Sequence, residues 1–165
     1  MTRIAIFLIL IMSFSCQNDS QESSNKDVQA NQPSAATAAL PGLPLETIQY
    51  LWENCDYIDF LFYELPISMS LNEKSSIQYA LRHISADAAR LDPNCRAIGR
   101  VFYQVKGENF LEADIFFQQG CTYFKFLKDN KPVFANYMTD DGIKYMNENI
   151  ERGQEMQRNI QQQGQ

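Results

Sequence analysis

Few residues in this chain could carry chemistry: four cysteines (Cys16, Cys55, Cys95, Cys121), a single histidine (His83) and two short acidic groupings. A zinc site needs Cys or His ligands at short spacing, and neither a Cys-x-x-Cys nor a second histidine is present. A Ser-His-Asp or Cys-His hydrolase would have to use His83, which no Gly-x-Ser-x-Gly elbow or comparable nucleophile context accompanies. Glu112 and Asp114 project from one side of a strand-like segment, and such a carboxylate pair could in principle run acid/base chemistry. The simpler expectation is the wet face of a strand, on which Arg100, diagonal to Asp114, forms a surface ion pair worth at most about 1 kcal/mol. Asp140-Asp141-Gly142 starts like a calcium loop but lacks the alternating ligands and distal Glu, and helix capping explains it. With no Gly-rich phosphate loop or redox motif, no metal and no cofactor is expected.

The elements that must position these groups read as an α+β fold. Pro44 can open a helix carrying Leu45, Ile48, Leu51, Trp52 and Cys55 at helical spacing. Residues 56–65 stay open between helix and strand; their aromatic and β-branched content favours a buried strand, and Pro66 ends either one. Ser70-Leu71-Asn72-Glu73 has capping-box spacing ahead of a second helix with Ile77, Ala80, Leu81 and Ile84 inward, which puts His83 on its flank, toward solvent.

Residues 97–105 and 111–117 both place small or apolar residues at odd positions and polar ones largely at even positions, the alternation of strands. A three-residue Gly107-Glu108-Asn109 loop sets Val105 against Leu111, Tyr103 against Ala113 and Val101 against Ile115. Residues 122–127 and 133–137 add two strands joined through residues 128–131, Pro132 suiting a strand start. The expectation is a four-stranded antiparallel meander with about three helices, and one further strand if residues 57–63 are extended. Thr139 or Asp140 can cap a last helix with Ile143, Met146, Ile150 and Met156 inward, before the Gln-rich residues 161–165 fray.

The N-terminus reads as a processing signal: Arg3 precedes an apolar run from Ile4 to Met12, too short for a membrane span of about 20 residues. Ser13-Phe14-Ser15-Cys16 follows, and here the chain resembles the lipobox of bacterial lipoproteins. Ser15 and Cys16 fit that pattern, while Phe14 is larger than usual and Ser13 replaces the customary Leu. The resemblance implies a signal peptide over residues 1–15, cleavage before Cys16, and acylation of that cysteine by fatty acids such as palmitate. Several acyl chains would make anchoring effectively permanent, each buried methylene contributing roughly 0.8 kcal/mol. Gln17, in place of an Asp, implies the outer membrane rather than the inner, on the periplasmic or the outward side. Residues 16–40 are then a polar tether with almost no large apolar residue to offset ordering entropy, holding the domain roughly 25–30 Å from the lipid.

Residues 41–160 form a single domain, for which eleven Phe, eight Tyr and one Trp supply a core. The net charge of −6, without a Lys/Arg cluster, argues against nucleic acid. In an oxidising compartment three cysteines besides Cys16 allow one internal bridge. Continuing the hairpin register outward sets Cys95 opposite Cys121, close enough for a disulfide in a non-hydrogen-bonded pair, while Cys55 stays in the core. The even face of the same strands carries Arg100, Phe102, Phe110, Glu112, Asp114 and Phe116, and is either covered by residues 57–63 or the last helix, or exposed as a binding patch. The expected function is a non-enzymatic envelope lipoprotein that binds a protein partner or small ligand; a hydrolytic envelope enzyme and a structural spacer are the alternatives.

Overall fold

Tyr57 to Phe62, whose sequence left helix and strand both open, form a strand that buries Ile58, Phe60 and Phe62 on one side. The computed structural model describes residues 39–163; the expected signal peptide, Cys16 and nearly all of the tether lie outside them, as do residues 164–165. The elements run α1 (Leu45–Asn54), β1 (Tyr57–Phe62), β2 (Ser68–Leu71), α2 (Lys74–Leu81), β3 (Ile84–Ala88), β4 (Ala97–Val105), β5 (Glu108–Gln118), β6 (Cys121–Lys128), β7 (Lys131–Met138) and α3 (Asp140–Gln163). The class is α+β, but the sheet has seven strands in the order β2-β1-β4-β5-β6-β7-β3, not four. The expected meander, β4 to β7, is its centre.

β2 and β3 were missed because each is short. Ser70 and Leu71, expected to cap a helix, instead pair with Asp59 and Ile58 of β1. α2 accordingly starts at Lys74 with no side-chain cap on Glu73. It also ends at Leu81, so Ile84 belongs to β3 and pairs with Met138 of β7 rather than extending the helical stripe. The two-turn α2 thus carries the chain between opposite edges of the sheet. Tyr145 of α3 reaches both: its hydroxyl lies 3.9 Å from Met69 Sδ of β2, and its ring centroid lies 4.7 Å from that of His83, just ahead of β3. The sheet therefore curls around its helical face, with α2 and α3 lying between its two edges.

One core fills that face, where Val101, Tyr103, Ala113, Ile115, Phe124 and Phe126 meet Leu51, Ile77, Leu81 and Met146 of the helices. From Gly99 on, the odd positions of β4 and those of β5 from Leu111 face one core, as their alternation predicts; the irregularity between Ala97 and Gly99 turns Ala97 to the other face and Ile98 to this core. Their register differs. The turn is the two-residue Lys106-Gly107, with φ of 56° and 77°, so Val105 pairs with Glu108; a bulge then brings Tyr103 against Leu111 and Val101 against Ala113. The partner of Val105 is displaced by three residues from the expected one, and beyond the bulge those of Tyr103 and Val101 by two, which preserves the face there. A non-glycine residue with positive φ at Lys106 is uncommon, and this hid the shorter turn.

The helices follow their stripes only in part. In α1, Leu51 is inaccessible, whereas Leu45 and Trp52 are exposed. Thr139 Oγ1 accepts the Gly142 N–H at 3.2 Å and caps α3, which buries Met146 but leaves Met156 exposed and runs on to Gln163. Ahead of α1 the chain is pinned to β7: Ala135 N–H donates to Pro41 O at 2.9 Å and Leu43 N–H to the buried Asn136 Oδ1 at 2.7 Å. Asn136 Nδ2 in turn donates to Ser85 O at 2.9 Å, so one side chain ties the entering segment, β7 and β3 together.

Candidate functional site

The second sheet face carries the even residues of β4 from Arg100 on, and its two halves differ. Toward β6 and β7 the segment between β3 and β4 folds over it, making a second core from Ala89, Cys95, Phe116, Cys121, Tyr123 and Ala135. Cys95 and Cys121 are joined in a disulfide with their Cα atoms 6.0 Å apart. The pairing is the expected one, but the route to it is not. The β4–β5 ladder ends at Ala97 opposite Phe116, and Cys121 starts β6 opposite Gln118, so no continued register brings the cysteines together. The bridge instead staples the covering segment onto the start of β6. Cys55 is free and buried; its thiol donates to Tyr57 O at 3.4 Å, and burial pushes its pKa up.

Toward β1 and β2 the face is open, since the buried residues of all three helices pack on the other side. Arg100 lies directly opposite Asp114, with Glu112 diagonal to it. Its Nε and Nη2 both donate to Asp114 Oδ1, at 2.9 and 2.7 Å, while Nη1 donates to Glu112 Oε2 at 3.2 Å. Lys125 Nζ of β6 completes the group 3.3 Å from Asp114 Oδ2. Burial works against the guanidinium charge, but Asp114, aided by Tyr63 and Glu112, outweighs it and raises the Arg100 pKa. The expected ion pair is therefore a four-membered lattice, with Asp114 its most buried member, fixing the centre of the open face.

Phe102, half-buried beside this lattice, and Leu61, 40 % exposed on the neighbouring β1, belong to neither core. The expected face is thus assembled only in part. Arg100, Phe102, Glu112 and Asp114 share it; Phe116 is sealed beneath the stapled segment, stacked on Tyr123 with ring centroids 4.5 Å apart. Phe110 leaves it altogether, because the bulge breaks the alternation and its ring packs, tilted by 34°, against Tyr50 of α1 with centroids 4.8 Å apart. Neither residues 57–63 nor α3 cover the open half: the former lie within the sheet and the latter lies behind it. Lys125, Asp59 and Leu61 were not foreseen, since their place on this face depends on pairings that no local pattern displays. Ser70 Oγ donates to Asp59 Oδ1 at 2.7 Å, extending the polar surface to the sheet edge.

His83 is buried, not solvent-facing as the helical wheel suggested, because α2 ends before it. Its ring packs against Tyr79 and Tyr145, with centroids 4.8 and 4.7 Å away, and its Nε2 has no hydrogen-bond partner among the described residues. Burial lowers its pKa to about 4. Its ring contacts are aromatic, while Asp141 pulls its pKa up and Arg82 pushes it down, both by less than burial does. Among the described residues no group of Cys, His, Asp and Glu could hold a metal ion, and no helix is long and apolar enough to cross a membrane. No family model, curated protein or solved structure matches the chain.

Proposed function

We propose that this chain is an envelope lipoprotein, anchored through lipid on Cys16 and held off the membrane by residues 16–40, whose folded domain is a non-enzymatic binding module for a protein partner. The observation that favours binding is the open half of the sheet face. It offers an aromatic ring and an aliphatic side chain around charges already locked to one another, so a partner meets a preorganised surface with little side-chain entropy left to lose. Arg and aromatic side chains are also the types enriched where binding energy concentrates. The hydrolase reading draws no such support, because the His83 ring packs on Tyr79 and Tyr145 and the Cys55 thiol donates to a backbone carbonyl.

A photo-crosslinking side chain at Phe102, in chains expressed in the native envelope, should give one discrete adduct, and the same group at Lys144 on α3 should not. Equal labelling from both positions, or none from Phe102, would contradict an interface on the open face.

A further inference from the structure

A cavity of about 450 Å³ opens on the helical side of the sheet, at the end where β1 finishes and β4 begins. Its wall mixes the apolar side chains of Phe62, Leu65, Ile98, Phe117 and Ile150 with Gln118 and Gln154. Its rim carries two formal charges, Glu64 and Arg96. They belong to adjacent chains, since the Tyr63 N–H donates to Ile98 O at 3.0 Å and so continues the β1–β4 pairing one step beyond Phe62 and Gly99. Even so, neither joins an ion pair: those among the described residues engage only Arg100, Lys125, Glu112 and Asp114. The rim therefore holds one cation and one anion outside any of these ion pairs, above a hollow lined by apolar side chains and two glutamines.

We propose that this cavity binds a free α-amino acid with a bulky apolar side chain. The carboxylate would lie on Arg96, whose planar fork matches two oxygens, and the ammonium on Glu64. The side chain would descend among Phe62, Ile98, Phe117 and Ile150, with Gln118 and Gln154 also lining the hollow. The volume lies in the range of small-molecule sites, about 300–1,000 Å³, which suits one such molecule and is too small for a protein segment with secondary structure. A ligand with a single charge would leave the other rim group unpaired, and a small side chain would leave the hollow unfilled. Nothing in this site depends on the open sheet face or on the lipid anchor.

Calorimetric titration of the full chain tests it, with L-phenylalanine and L-leucine as probes. L-alanine, N-acetyl-L-phenylalanine and L-phenylalaninamide serve as controls that remove the apolar bulk, the ammonium and the carboxylate in turn. Both probes should bind saturably, and each control more weakly by about tenfold or more, the loss expected for one charge-assisted contact or one filled subsite. Arg96→Gln should weaken L-phenylalanine and abolish the preference over the amide; Glu64→Gln should weaken it and abolish the preference over the N-acetyl compound. Both side chains are exposed, so thermal unfolding should be unchanged in either variant. Absence of saturable binding to the unaltered protein, or affinities that either variant leaves intact, would overturn the proposal.

Discussion

Removing either cysteine of the Cys95–Cys121 bridge should lower stability by roughly 3–4 kcal/mol, the chain-entropy value for closing a loop of this length, and the double replacement should cost no more than either single one. Denaturant unfolding of Cys95→Ser, Cys121→Ser and the pair checks this, with Cys55→Ser as a control that acts through lost packing alone. The bridge shows how far single residues were legible. Compartment and cysteine count allowed one bridge among Cys55, Cys95 and Cys121, and the hairpin register picked the pair. The register offered in support was not the cause, because the bulges of β4 and β5 displace the ladder and a loop supplies one partner.

His83 was illegible for a related reason: its burial follows from where α2 stops, and nothing local announces that end. It makes a pH prediction. The folded imidazole titrates at about 4, the unfolded one near its ordinary value of about 6.5. Above that value neither state is charged and nothing is lost. As pH falls from about 6.5 to 4 the unfolded chain binds a proton that the folded chain refuses, so stability declines through this window, by no more than about 3 kcal/mol, and levels off below it. His83→Phe should flatten the decline there relative to the unaltered protein. Parallel curves for the two proteins, from urea midpoints measured against pH, would contradict the assignment.

At the scale of elements, Gly99 shows why the centre of the sheet tolerates so little change. A Cβ at this position would run into the Leu61 carbonyl oxygen of β1, and that obstacle is backbone, not a side chain able to swing away. Gly99→Ala should therefore separate β1 from β4 and cost more than about 2 kcal/mol in chemical denaturation, a loss beyond the intrinsic effect of glycine in a strand, which alanine would reverse. The alternation that disclosed β4 and β5 is a property of one strand read alone, so it survived in the sequence. β2 and β3 span only four and five residues at the two edges and earn their place by pairing with distant strands. The open sheet face is illegible for the same reason. Arg100, Glu112 and Asp114 could be assigned to it from alternation, but Lys125, Asp59 and Leu61 join only once β6 and β1 have taken their neighbours.

For the whole molecule, the fold separates its surfaces. The helices fill the curled side of the sheet and leave the proposed ligand cavity at one end, the disulfide staples a cover over half of the other face, and the remaining half stays open around the Arg100 lattice. The entering chain is fixed by Pro41 and Leu43 to β7, so a pull on residues 16–40 would bear on backbone and Asn136 hydrogen bonds within the sheet. The proposed lipid attachment at Cys16 is the central claim. Intact-mass analysis of the chain recovered from membranes tests it most directly. The account predicts a protein that starts at Cys16 and carries the added mass of fatty acyl groups there, with Cys16→Ala either unprocessed or released from the membrane. A chain retaining Met1, one cut elsewhere without added lipid, or a Cys16→Ala variant that matures and fractionates as the unaltered protein does, would contradict it.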